Sequence, residues 1–155
     1  MISRRSLLLT AAFAGFARAG RAQAETLPLV TVNKDPNCGC CTAWAEHLRS
    51  AGFTTSIVPA ADMDAVKNRL GVPSALTSCH TAEVGGYVIE GHVPAAAIVR
   101  LLAEKPKARG LAVPDMPVGS PGMEVAGTRP EEYQVLLFGD GAPKVFARYK
   151  GAQEL

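Results

Sequence analysis

Three of the four cysteines of this 155-residue chain fall within four positions, Cys38-Gly39-Cys40-Cys41. They divide two segments of different periodicity. Before them, residues 27–33 (Leu-Pro-Leu-Val-Thr-Val-Asn) are rich in β-branched side chains and read as a buried strand. After them, Cys41, Trp44, Ala45, Leu48 and Ala51 recur at helical spacing until Gly52 stops the pattern. Residues 34–39, with Pro36, Asn37 and Gly39, form the loop between. The cysteines therefore sit where a strand hands over to a helix.

That position has chemical consequences. Free backbone N–H groups at a helix start, together with the helix dipole, favour negative charge. Thiol pKa values in such places fall from about 8.5 into roughly the 3.5–7.5 range. Anionic, soft sulfur is expected here at neutral pH. Cys40 and Cys41 are adjacent, so a bond between them would be strained. Cys38 and Cys41 have the C-x-x-C spacing of redox dithiols, which leaves Cys40 as an extra sulfur. On a helix Cys41 turns inward with Trp44 and Leu48, and Cys40 is rotated from it by about 100°.

Cys79 is distant, at the start of a third expected strand beside His80. Ligands in α/β sheets gather near loops at the switch point, where Cys79 supplies a fourth sulfur. Four thiolates suit zinc, cuprous copper or an iron–sulfur cluster. Structural zinc sites usually pair two C-x-x-C knuckles, and this chain has one. The compressed C-x-C-C fits Cu(I) better. Three other readings stay open: one disulfide with two spare thiols, a redox dithiol made of Cys38 and Cys41, and a disulfide-stabilised binding module with no free thiol and no metal.

The rest of the chain continues an α/β pattern. Residues 53–58 alternate as a strand, and Asp62 caps a helix over 63–70 that Gly71 closes. Residues 79–83 and 87–90 flank Gly85-Gly86 as a hairpin. Pro94 opens a third helix that buries Ala97, Ile98, Leu101 and Leu102. Residues 109–130 are irregular and rich in Gly and Pro, longer than an ordinary loop, hence functional or loosely ordered. Residues 133–138 and 145–149 read as a last hairpin. The order predicts a small central sheet flanked by helices, with a parallel first strand–helix–strand unit and an extra C-terminal hairpin.

The N-terminus reads as a cleaved export signal over residues 1–24. Arg4 and Arg5 precede an apolar run over 7–16, too short to span a bilayer, and Ala22-Gln23-Ala24 fits a signal-peptidase site. The arginine pair followed by Ser6-Leu7-Leu8 resembles a twin-arginine signal. Residues 25–155 form one domain. That domain keeps 12 of the 16 basic residues against 14 acidic ones, a net charge of −2. The basicity of the whole chain thus belongs to the signal, and no basic patch argues for nucleic acid. No other apolar run is long enough to anchor the mature chain in a membrane.

Auxiliary candidates are weaker. Met116 and Met123 lie in the Gly/Pro-rich segment, where a thioether is either a Cu(I) ligand or a plug over the core. His80 either reaches the metal or faces away on its alternating strand. His92 reads as ordering the helix entrance, His47 as solvated, Trp44 as core and Asp35 as a loop acid. No Ser-His-Asp set, phosphate loop or paired-carboxylate site is present in the pattern.

Four stretches taken together resemble the CopG-type periplasmic proteins, long catalogued as a domain of unknown function and associated with copper resistance. They are Asn37-Cys38-Gly39-Cys40-Cys41, Cys79-His80-Thr81-Ala82, Glu90-Gly91-His92-Val93-Pro94, and the run from Gly110-Leu111-Ala112-Val113-Pro114 through Met116-Pro117 and Gly119-Ser120-Pro121-Gly122-Met123-Glu124. The resemblance covers about residues 30–124. It implies a thioredoxin-like fold and copper bound by Cys38, Cys40, Cys41 and Cys79. The function then expected is periplasmic: holding Cu(I) for copper resistance, or a thiol–disulfide or copper-linked oxidoreductase using Cys38 and Cys41. Whether the chain is an enzyme stays open. The partners implied are copper ions and other copper-handling proteins of the envelope.

Overall fold

The computed structural model describes residues 26–155, so the expected export signal lies outside the described residues. Elements follow in the order β1 (Val30–Lys34), α1 (Gly39–Ser50), β2 (Thr55–Pro59), α2 (Met63–Leu70), β3 (His80–Val84), β4 (Tyr87–Glu90), α3 (Ala95–Glu104), β5 (Gly110–Ala112), β6 (Glu132–Phe138), β7 (Lys144–Lys150) and β8 (Gln153–Glu154). A 3-10 turn, Ser74–Leu76, precedes β3. The class is mixed α/β. Among the described residues no helix is long and apolar enough to cross a membrane.

All eight strands join one sheet in the order β2-β1-β3-β4-β5-β6-β7-β8. β1 and β2 are parallel, as the strand–helix–strand pattern predicts. β3 runs antiparallel to β1 with His80 opposite Lys34. Gly85 and Gly86 turn β3 into β4 with φ of 54° and 85°, a pair of positive values that side chains with a Cβ resist.

The sheet is larger than the sequence pattern predicts. Gly110–Ala112, read as irregular, is a strand parallel to β4 and antiparallel to β6. It fuses the C-terminal hairpin to the central sheet. Three residues are too few to show a period, so the strand is silent in sequence. Its glycine has a steric cause: a Cβ on Gly110 would stand 1.7 Å from Val88 O.

Alternation along the inner strands splits the buried side chains between two faces. Ile89 and Leu111 join Val30, Val32, Trp44, Leu48, Ile98 and Leu101 under α1 and α3. Val88, Ala112 and Phe138 join Leu70 and Val72 under α2. The sheet is therefore covered on both sides, which is why β1 reads as continuous rather than alternating. α2 begins and ends as its signals predict: Asp62 Oδ1 accepts from Ala65 N–H at 2.8 Å, and Gly71 takes φ 71°. α1 starts at Gly39, two residues earlier than the periodicity suggests, with Cys38 at its N-cap.

Candidate metal centre

The β1–β3 register builds this site. Because His80 lies opposite Lys34, the chain leaving β1 toward Cys38 runs beside the chain entering β3 from Cys79. An antiparallel pair, not a parallel switch point, brings the distant cysteine to the loop. Asp35 orders that loop: its carbonyl accepts from Cys38 N–H at 3.0 Å and its carboxylate from Asn37 N–H at 2.8 Å.

Cys38 and Cys41 are joined as a disulfide, with Cα atoms 5.5 Å apart, while Cys40 and Cys79 are free. Cys40 Sγ lies 3.4 Å from Cys38 Sγ and 3.8 Å from Cys79 Sγ. Cys41 Sγ is 3.9 Å from Cys79 O. The four sulfurs all lie within 4.8 Å of one another. In this state two are tied up in a bond and two are available as ligands. Reduction would release four in the space of one ion or a small cluster.

Cys79 lies outside the helix start for which lowered thiol pKa values are expected, and its own pKa is raised. Burial first, then the neighbouring Cys40, push it up to about 12. It stands ahead of a strand rather than at a helix start, so no dipole offsets its desolvation. Cys79 is a thiol at neutral pH, and binding of a metal there must displace its proton.

Two histidines converge on that thiol. His92 Nε2 is 3.1 Å and His80 Nδ1 is 3.3 Å from Cys79 Sγ. These three residues also form a group whose ligand atoms lie within 4.8 Å of one another. Burial lowers the pKa of both rings, with His92 and Lys67 lowering His80 further, so both are neutral. The tautomers follow from the network. His92 Nδ1 faces Pro121 O at 2.8 Å, and a carbonyl only accepts, so the proton sits on Nδ1. Nε2 then accepts from the Cys79 thiol. His80 consequently donates from Nδ1, and its buried Nε2 has no hydrogen-bond partner among the described residues. The His80 ring packs on Trp44, with centroids 4.3 Å apart.

His92 is the residue that sequence reasoning missed. It is fully buried against the thiol rather than merely ordering the helix entrance. The available signal was its place in the Glu90-Gly91-His92-Val93-Pro94 stretch. His47 also needs correction: it is half-buried, and its Nε2 accepts from Ala95 N–H, at the start of α3, at 3.1 Å. Trp44 is core, as expected, and donates from Nε1 to Val93 O at 2.9 Å.

The Gly/Pro-rich segment is ordered over the site. Pro121 supplies the acceptor for His92, and Gly122 packs against the first turns of α1. A Cβ on Gly122 would stand 2.7 Å from Trp44 N and 2.8 Å from Cys40 O, and its φ is +86°. Met123 follows and is half-buried, whereas Met116 is 48% exposed.

Fold and site together define a mixed α/β protein with a cysteine cluster at a strand–helix junction, closed by two buried histidines on the half-buried Cys79. Residues 76–123 match the family model described as "Protein of unknown function, DUF411". No curated protein matches the chain. Two solved structures do: "Copper resistance protein copG- Form 1", 48% identical with a TM-score of 0.75, over 81% of this chain and 99% of that one, and "Copper resistance protein copG- Form 2", with the same identity and TM-score over 79% and 98%. The chain belongs to the CopG copper resistance family.

Proposed function

We propose that this chain binds copper as Cu(I) in the bacterial periplasm, through Cys38, Cys40, Cys41 and Cys79 once the Cys38–Cys41 bond is reduced. The convergence of four sulfurs within 4.8 Å carries the reading. Thiolates select soft cations, and the family name supplies copper rather than another soft metal. Of the auxiliary donors, His80 has contact support through Cys79. Met123 adjoins Gly122, which abuts Cys40, while Met116 lies toward solvent. The disulfide and the expected signal over residues 1–24 support an oxidising, exported setting. The strand order β2-β1-β3-β4, with a C-x-x-C at the start of α1, supports a thioredoxin-like core.

An anaerobic Cu(I) titration of reduced protein against a chromophoric chelator tests this. Tight binding that Cys79→Ser weakens is expected, and binding indifferent to Cys79→Ser would rule out the four-sulfur site.

The Cys38–Cys41 bond favours a second reading, thiol–disulfide or copper-linked redox work by that pair. The two combine if an external two-electron oxidant converts the Cys38 and Cys41 thiolates to the disulfide, which withdraws two ligands and releases copper. A redox titration with mass mapping decides: a Cys38–Cys41 bond that never opens and closes reversibly ends this reading.

A further inference from the structure

Glu90 of β4 is completely buried, and its carboxylate is surrounded by donors. Oε1 accepts from Ser78 N–H at 2.7 Å and from Lys67 Nζ at 2.5 Å; Oε2 accepts from the Thr81 hydroxyl at 2.6 Å. Lys67 comes from α2, is itself buried, and also donates to Thr81 Oγ1 at 3.1 Å. A buried ion pair is an inefficient way to hold elements together, since well-packed apolar side chains often do as well. This carboxylate does something an apolar side chain cannot. Its two oxygens grip Ser78 and Thr81, the residues on either side of the Cys79-His80 pair. Ser78 is fixed further: its hydroxyl donates to Asp115 O. It also packs where Gly91 has no side chain, since a Cβ there would stand 2.7 Å from Ser78 Cβ. Cys79 itself is only half-buried, so its own packing does not define its place.

We propose that Glu90, neutralised by Lys67, is a positioning residue that clamps Ser78 and Thr81 and so fixes Cys79 against Cys40 and His92. The proposal deepens the copper-site reading and rests on it for its role. Its first test needs no copper. Protein with the Cys38–Cys41 bond intact is alkylated with iodoacetamide, and Cys79 and Cys40 are followed separately by mass mapping. In Glu90→Gln the expected rate at Cys79 rises about tenfold, as loss of charged hydrogen bonds implies, while Cys40 stays within about twofold. An unchanged ratio of the two rates overturns the proposal. Thr81→Val removes one grip, and the Lys67 bond to the same hydroxyl, while leaving Lys67 and Glu90 paired, and gives the same readout if Glu90→Gln does not fold. The second test is a cycle in reduced protein. Glu90→Gln is expected to weaken Cu(I) binding in the parent and to have no further effect in a Cys79→Ser background. Equal losses in both backgrounds overturn the clamp, because Glu90 then acts on the fold at large. A parent that binds no Cu(I) counts against the copper reading alone, and the alkylation ratio still decides the clamp.

Discussion

His92 Nε2 stands 3.1 Å from Cys79 Sγ, with its proton committed on the other ring nitrogen to Pro121 O. One imidazole thus ties the thiol that precedes β3 to the Gly/Pro-rich segment over α1. The ring is an acceptor toward sulfur, which leaves the thiol as donor. A soft metal that displaces the thiol proton would meet a nitrogen lone pair at the same place.

Replacing His92 by Leu keeps the bulk and removes both bonds. The buried Pro121 carbonyl loses its donor, and the expected loss of stability is about 1–3 kcal/mol. Urea unfolding of copper-free protein measures it. A loss confined to a few tenths would mean that the Pro121 contact contributes little.

Thiol counting checks the bonding pattern. Denatured without reductant, the protein is expected to titrate two thiols, Cys40 and Cys79. Cys38→Ser is expected to titrate three, because Cys41 loses its partner. A count of zero in the parent would show Cys40 and Cys79 bonded to each other as well.

Gly122→Ala places a Cβ where Trp44 N and Cys40 O already lie, at a φ of +86° that side chains resist. The expected cost is about 1–3 kcal/mol of strain. The segment should lift from α1, so the Pro121–His92 bond should weaken with it. Thermal unfolding reports the cost, and the shift of the His92 ring signals in NMR reports the lifting.

His47 makes stability fall with acid. Its pKa lies below the ordinary 6.5, chiefly because burial opposes the charge, with Glu124 partly offsetting this. Above that value both folded and unfolded chains hold it neutral, and its bond from Ala95 N–H is intact. As pH falls through 6.5 the unfolded chain takes up the proton first, so stability declines toward the folded pKa. His47→Gln keeps an acceptor for the amide and removes the titration. Denaturant midpoints from pH 8 to 5 should fall less steeply in this variant than in the parent; parallel profiles would refute the assignment.

Much of the candidate site was legible because its signals are local. The β-branched run, the crowded cysteines and the helical spacing of Cys41, Trp44 and Leu48 lie within one stretch of chain, and Asp62 and Gly71 bracket α2 by short-range hydrogen bonding and backbone freedom. The sequence by itself therefore determined that sulfur gathers at a strand–helix junction, and the family stretches pointed to copper. It also left open which sulfurs are joined and whether His80 turns inward. The bond itself is local, between Cys38 and Cys41, but the placing of Cys79 beside Cys40 and of His80 depends on the antiparallel register that sets His80 opposite Lys34, a pairing between residues far apart in the chain. Other contacts between residues distant in the chain put the Cys79 thiol against His92, make Gly110–Ala112 a strand between β4 and β6, and send Lys67 of α2 to Glu90 of β4. Tertiary structure decided them because their energies come from burial and from partners on other elements, and no periodicity along the chain records either.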